Sequence, residues 1–149
     1  MIRVMSYNIC NARGITATGE DKSQQDIPAT AQTIAAAGAD LVSLNEVDRH
    51  TERFGADRDL AAELGAAAGL PHVAFGRAIA ISGGEYGNAL LSRWPLERVT
   101  VTQVSPGTAD GEEDRCVLSA EVVTPEGRLR VMSTHLSWLH ESLRVRGAQ

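Results

Sequence analysis

The pattern of hydrophobic residues changes character near Pro71, and this change constrains the fold more than any other feature. Before it, two strand-like segments, Ile2–Ile9 and Leu41–Glu46, alternate with two segments of helical period. After it come five strand-like segments: His72–Ile81, Tyr86–Arg93, Leu96–Val104, Cys116–Thr124 and Leu129–Leu136. This order predicts an α+β fold with a mixed, mostly antiparallel sheet and flanking helices, and it argues against a doubly wound parallel sheet.

Both helical segments carry residues that are typical of helix ends. Asp26 is a candidate N-cap for the first helix, and Gly38 is a candidate C-terminal glycine. The second helix is predicted to begin after Asp57 or Asp59 and to end at Gly69. The first helix would therefore connect two strands as a β-α-β unit.

Three segments fall outside this pattern. Residues 10–25 and 105–114 are polar and lack a hydrophobic period, so both are predicted to be loops. Residues 138–149 have helical composition but stop without a cap or a terminal glycine. We therefore expect residues 1–149 to form a single domain that is cut short at its C-terminus.

Charge and composition narrow the classes of function. The net charge is −5, and no basic tract is present, which argues against holding long nucleic acid by bulk charge. Lysine occurs once against 13 arginines, so a phosphate-binding group here would be an arginine. The two cysteines lack the spacing of a structural zinc site. Neither a membrane span nor a signal peptide is evident, which predicts a soluble, cytoplasmic protein, with secretion left open.

Three polar residues lie at or near the predicted ends of strands, where metal ligands and catalytic groups often occur. Glu46 would suit a hard cation such as Mg²⁺, or it is a solvated strand end that pairs with Arg49. Asn8 is alternatively a residue that bonds its own turn. His135 is either a core histidine or a catalyst that donates a hydrogen bond or a proton.

A fourth position lies in the strand after the Gly83–Gly84 turn. Tyr86 and Asn88 share one face of this strand by the two-residue period, so they either line a polar pocket or decorate a hairpin. No helix follows the glycines, which argues against a phosphate-cradling loop of the dinucleotide-binding kind.

Four short segments occur in a telling order: Ser6-Tyr-Asn8-Ile, Leu44-Asn-Glu46-Val-Asp48-Arg49, Gly84-Glu-Tyr86-Gly-Asn88 with the following strand, and Ser133-Thr-His135-Leu136. Together they closely resemble the endonuclease/exonuclease/phosphatase superfamily, over essentially the whole chain. The resemblance implies a four-layer α/β sandwich of the deoxyribonuclease-I-like type, of which this chain supplies about the first half. It also implies a metal-dependent phosphoester hydrolase: a phosphodiesterase, nuclease or phosphatase in which water attacks phosphorus in line.

The resemblance assigns roles to five residues. Glu46 matches the Mg²⁺-binding glutamate, with Mn²⁺ as an alternative metal, and Asn8 matches the asparagine that helps to order metal and phosphate. His135 matches the histidine beside the scissile phosphate. Tyr86 and Asn88 match the strand that lines the substrate pocket. The substrate, as a small molecule, a lipid headgroup or a nucleic acid, is left unresolved.

The chain departs from the family pattern in two ways. Asn45 stands where the family usually has glutamine, which we expect to matter little. The family's later Gly-Asp-x-Asn and Asp-His motifs, which hold and activate the attacking water, do not occur in this sequence. We therefore predict that residues 1–149 alone bind metal weakly and catalyse poorly or not at all. We also expect an exposed apolar sheet face to cause self-association.

Two other interpretations stay open at this point. The chain is alternatively a binding or scaffold module that keeps the fold without catalysis. A third interpretation is an ordinary metal-binding domain in which Glu46 and Asp48 are coincidental ligands.

Overall fold

The computed structural model describes residues 1–15, 21–104 and 113–136. The strands are β1 Val4–Asn8, β2 Arg13–Ile15, β3 Asp21–Gln25, β4 Leu41–Arg49, β5 His72–Ile81, β6 Gly84–Ser92, β7 Leu96–Val104, β8 Arg115–Thr124 and β9 Gly127–Thr134. The helices are a 3-10 turn over Cys10–Ala12, α1 Ile27–Ala37 and α2 Leu60–Ala68. Neither α-helix is long or apolar enough to cross a membrane, within the described ranges.

The strands form two larger sheets and a small ribbon. One sheet has the order β1-β4-β6-β5, in which β1 and β4 are parallel and the other pairs are antiparallel. The other sheet has the order β7-β8-β9 and is antiparallel throughout. The predicted β-α-β unit and the mixed, mostly antiparallel pairing are therefore confirmed.

The helix ends also follow the sequence. Asp26 accepts a hydrogen bond from the Ala29 amide at 2.9 Å, and Gly38 ends α1 in the left-handed conformation. Of the two candidates for α2, Asp59 is the cap, because its carboxylate accepts from the Ala62 amide at 3.0 Å. Each cap satisfies a backbone N–H that has no partner within the helix.

The four-stranded sheet lies between the helices and the second sheet. Along β6, Ala89 and Leu91 face the larger core, which they share with residues of α1 and α2. Leu90 faces the opposite way and packs against Leu118 of β8. The described residues therefore form three layers, one of helices and two of sheet.

Several sequence-based boundaries need correction. Residues 10–25 are not a featureless loop, since Arg13 pairs with Gln25 across two short strands too polar to show a hydrophobic period. The first strand begins at Val4 rather than Ile2, and β6 begins two residues before Tyr86. The remaining shifts are small: β8 begins one residue earlier than expected, and β9 runs from residue 127 to residue 134.

One boundary matters for the site. The second predicted strand does not stop at Glu46 but continues to Arg49, because the backbone pairs again with β6 after an interruption. The predicted helical tail at 138–149 and most of the predicted loop at 105–114 lie outside the described residues.

Candidate active site where β1, β4 and β9 converge

Glu46 occupies a β-bulge in the middle of β4. Its neighbours Asn45 and Val47 pair with the consecutive residues Asn88 and Gly87 of β6, so Glu46 is left out of the ladder. Its φ angle is 61°, a left-handed conformation that side chains other than glycine rarely adopt. Bulges of this kind redirect a side chain and are common beside functional sites.

Asn8 at the end of β1 holds the Glu46 carboxylate. Its Nδ2 donates to Glu46 Oε1 at 2.8 Å, and its Oδ1 accepts from the Cys10 backbone N–H at 3.0 Å. The second contact fixes which end of the amide faces the carboxylate. Asn8 therefore does both things that the sequence left as alternatives, because it bonds its own turn and also reaches Glu46.

His135 completes a group of three residues from three different strands. It follows the last residue of β9, and its Nε2 lies 4.0 Å from Glu46 Oε1. Both side chains are about three-quarters buried. Burial and the charge of Arg115 lower the pKa of His135, while Glu46 and Glu113 oppose this shift. The imidazole is consequently neutral at pH 7 and carries one N–H donor.

A buried polar network supports the bulge from behind. With its amide oriented to suit its surroundings, Asn11 donates to the Glu46 carbonyl at 2.8 Å and to Asp48 Oδ1 at 3.1 Å. Asp48 is fully buried, and Arg53 donates to its two oxygens at 2.7 and 2.8 Å. Thr51 adds a further hydrogen bond to Asp48. Because these contacts occupy the Asp48 carboxylate, this geometry does not favour Asp48 as a metal ligand.

Tyr86 lies beside this network and borders the site. Its ring faces the Arg53 guanidinium, with 5.5 Å between the guanidinium carbon and the ring centroid. Burial, reinforced by the charge of Glu46, raises the pKa of the Tyr86 phenol. The phenol therefore stays protonated at neutral pH and can donate a hydrogen bond.

Asn88 is placed differently from Tyr86. It is only 1% exposed, accepts from Asn45 Nδ2 at 2.8 Å and donates to the Cys116 carbonyl at 3.2 Å. Asn45 also donates to the Thr134 carbonyl at 3.1 Å. These bonds join β4, β6, β8 and β9 just below the three converging residues. Asn88 thus sits in a buried seam between the two sheets, where it bonds Asn45, the residue before Glu46.

Three residues near the site were missed in the sequence. Asn11 and Arg53 gave no periodic or motif signal, although asparagine is one of the residues that tolerate a left-handed backbone. Arg115 had only the general expectation that a phosphate-binding group would be an arginine. Each is placed by tertiary contacts that no local pattern encodes.

The donor set around Glu46 bears on a metal ion. Within the described ranges, no group of three or more histidine, cysteine, aspartate or glutamate side chains is arranged to hold one. Mg²⁺, however, commonly uses one or two carboxylates and takes its remaining ligands from water and substrate. A partly exposed carboxylate with one oxygen anchored by Asn8 fits that need.

These layers define an α+β protein of the deoxyribonuclease-I-like fold. Residues 5–147 match the family model described as the endonuclease/exonuclease/phosphatase family, so the chain belongs to that family. No curated protein matches the chain significantly.

Solved structures agree with this assignment. The chain is 30% identical to an endonuclease/exonuclease/phosphatase from Beutenbergia cavernae DSM 12333, with a TM-score of 0.73, covering 93% of this chain and 39% of that one. A family protein from Leptotrichia buccalis C-1013-b has 14% identity and a TM-score of 0.63, covering 92% and 55%. TDP2 from C. elegans has 19% identity and a TM-score of 0.62, covering 95% and 37%. The chain therefore spans about two fifths to just over half of these structures, and the last two likenesses concern the fold alone.

Proposed function

We propose that residues 1–149 carry part of the active site of a metal-dependent phosphoester hydrolase. The observation that carries this proposal is the convergence of Asn8, Glu46 and His135 from three strands, with Glu46 held in a strained bulge. Strain of this kind costs on the order of 1–3 kcal/mol and persists only where surrounding structure enforces it. The family match supports hydrolysis of phosphoesters as the chemistry.

Glu46 and Asn8 are the proposed metal-binding residues. Glu46 would supply a carboxylate oxygen, and Asn8 would keep that carboxylate in one orientation. A bound Mg²⁺, or Mn²⁺ in its place, would neutralise charge on the phosphate and polarise the ester for attack by water.

His135 and Tyr86 are proposed to act on the substrate. Because the imidazole is neutral, His135 would donate a hydrogen bond to a phosphate oxygen as negative charge develops there. The Tyr86 phenol would be a second neutral donor at the edge of the site. Asn88 would position Asn45 and the end of β9 through the buried seam rather than touch the substrate.

The proposal also covers what this chain does alone. The water-activating motifs expected of the family are absent from the sequence, so we expect metal binding to be weak and hydrolysis to be slow or undetectable. A phosphoester remains the proposed substrate class, without a choice between a small molecule, a lipid headgroup and a nucleic acid.

The direct test is a metal titration of the whole chain. Mn²⁺ binding would be followed by electron paramagnetic resonance for the wild type, Glu46→Gln and Glu126→Gln. The last is the matched control, because Glu126 is exposed and pairs with the chain's amino terminus. We expect Glu46→Gln to weaken Mn²⁺ binding about tenfold or more and the control to leave it unchanged. Equal binding by all three proteins would refute the assignment of Glu46.

A second arm addresses hydrolysis. Bis(p-nitrophenyl) phosphate and p-nitrophenyl phosphate would be offered with Mg²⁺ to the wild type, His135→Asn and the control His72→Asn. We expect a rate near background for all three proteins. Rapid Mg²⁺-dependent turnover that survives in His135→Asn would contradict both the expected weak activity and the role of His135.

A further inference from the structure

Arg115 is a buried cation with little to balance it. It is the first residue of β8, and its side chain is 7% exposed. Its Nε has no hydrogen-bond partner in the described part of the chain. Among residues 1–15, 21–104 and 113–136, its one ion pair is to Glu113, at the long distance of 3.5 Å. Burying a guanidinium with so few partners is costly, and such groups are normally compensated by an opposite charge.

This cation lies beside the proposed catalytic cluster. Val117 pairs with Thr134 across β8 and β9, so Arg115, two residues earlier, lies next to the end of β9 that leads into His135. The Thr134 hydroxyl donates to the Cys116 carbonyl at 3.0 Å, which fastens the two strand ends together. The positive charge of Arg115 helps to lower the pKa of the His135 imidazole.

We propose that Arg115 is an anion-binding residue of the site and that it takes an oxygen of the substrate's phosphate group. A planar guanidinium can offer two parallel N–H donors to a phosphate, and the buried Nε of Arg115 lacks an acceptor, which a phosphate oxygen would supply, among the described residues. This inference rests on the proposed function for its location but not on metal binding by Glu46.

Glu113 is then a neighbouring carboxylate that opposes phosphate binding through its charge. Its side chain is 47% exposed, and its contact with Arg115 is at the limit of a hydrogen bond. A carboxylate in that position offsets part of the charge of Arg115 when no ligand is bound, and its negative charge repels a phosphate that approaches the same guanidinium. Removing Arg115 and removing the Glu113 charge should therefore change phosphate affinity in opposite directions.

The experiment is calorimetric titration of the whole chain without divalent metal at low ionic strength. Inorganic phosphate and diethyl phosphate are the two probes, and they distinguish a site for free phosphate from a site for an esterified one. The variants are Arg115→Gln, Arg115→Lys and Glu113→Gln. Arg98→Gln is the matched control, since Arg98 is a largely exposed arginine of the same sheet that pairs with Glu121.

We expect Arg115→Gln to weaken phosphate binding about tenfold or more, as for a lost charged hydrogen bond. Arg115→Lys should retain part of the affinity, Glu113→Gln should raise it a few-fold, and Arg98→Gln should leave it unchanged. The proposal fails if the wild type binds neither probe, if Arg115→Gln binds as the wild type does, or if Glu113→Gln weakens binding.

Loss of folding in a variant can be distinguished from loss of phosphate binding. If Arg115→Gln loses its cooperative melt, Glu113→Gln decides, because that substitution is on a half-exposed side chain and its expected gain cannot arise from unfolding. The metal titration of Glu46 is an independent measurement, so its failure and a failure of phosphate binding at Arg115 can be told apart.

Discussion

The two larger sheets differ in how completely they are covered. In the four-stranded sheet, the β4 residues Val42, Leu44 and Val47 are fully buried, because helices cover one face and the second sheet covers the other. In the three-stranded sheet, one face is open, and Val101 and Met132 are 41% and 67% exposed. We call the first the covered sheet and the second the open sheet. Asn8 and Glu46 of the proposed catalytic cluster lie in the covered sheet, and His135 follows β9 of the open sheet, where the two sheets meet.

This difference in burial affects how firmly each sheet holds a residue with a strained backbone. Each sheet has a bulged residue with a left-handed backbone: Glu46 in β4 and Arg98 in β7. Around Glu46, burial fixes the pairing on both sides of the bulge, and Asn8 and Asn11 hold its side chain and its carbonyl. Arg98 is largely exposed and joins a surface ion pair with Glu121. A left-handed residue alone therefore does not indicate a site.

The two sheets also differ in whether their ion pairs are buried or exposed. The covered sheet has Asp48, which is fully buried and bonded by Arg53 and Thr51. The open sheet has a surface lattice in which Arg98, Arg128 and Arg130 surround Glu121. The hydrogen bond from Arg130 lowers the pKa of Glu121, yet solvent screens these pairs.

The largest expected contrast is in core packing. Leu44→Ala should lower the free energy of unfolding by about 2–5 kcal/mol, because it leaves a cavity between the helices and the sheet. Val101→Ala, on the open face, should change it by less than about 0.5 kcal/mol. Urea unfolding followed by circular dichroism would measure both. Similar losses for the two variants would mean that the second sheet is covered in solution, which is what the predicted self-association would produce.

Removal of one buried charge tests the contrast between the buried carboxylate of Asp48 and the surface ion pairs of Glu121. Asp48→Asn should lower the free energy of unfolding by about 1–3 kcal/mol, since Arg53 loses its ionic partner in a largely buried setting. Glu121→Gln should leave the melting temperature essentially unchanged at 0.15 M salt. Thermal melts of the two variants at low and moderate salt give the comparison. A salt-sensitive loss in Glu121→Gln as large as that in Asp48→Asn would contradict it.

How much of the fold the sequence could predict depends on whether a segment carries a hydrophobic or helix-end signal. The strands from β5 to β8 and both helices are predicted nearly to the residue, because the strands are rich in β-branched or alternating apolar residues and because Asp26, Asp59, Gly38 and Gly69 mark the helix ends. The polar strands β2 and β3 were missed, since nothing in them repeats with a strand period.

The site was predictable only in part. The four motifs identified Asn8, Glu46 and His135 through resemblance, and the structure brings these three together. The bulge at Glu46 could not be read from the sequence, because a left-handed glutamate looks like any other strand residue. The placement of Arg115 beside His135 depends on the pairing of β8 with β9. The contact of His135 with Glu46 joins residues that are far apart in the chain, and no local pattern predicts it.

A smaller change in the free energy of unfolding is expected when either left-handed residue, Glu46 or Arg98, is replaced by glycine. Glu46→Gly and Arg98→Gly should each raise the free energy of unfolding by about 0.5 kcal/mol, because glycine relieves the left-handed backbone but costs chain entropy. Only Glu46→Gly should also lose Mn²⁺ binding. Urea unfolding and the metal titration would be run on both variants. Destabilisation by Glu46→Gly would show that its side-chain contacts outweigh the strain.

A pH-dependent effect on stability is expected at the seam that joins the two sheets. Cys116 is fully buried, its thiol donates to the Gly76 carbonyl at 3.3 Å, and burial raises its pKa. Its contribution to stability should therefore be complete below the unfolded thiol pKa of about 8.5 and decline as pH rises toward the higher folded value. Urea unfolding of the wild type and Cys116→Ala, both kept reduced, would be compared at pH 7.5 and 9.5. The wild type should lose up to about 1.4 kcal/mol more than the variant over this interval, whereas parallel losses would mean that the thiol ionises as freely in the folded seam as in the unfolded chain.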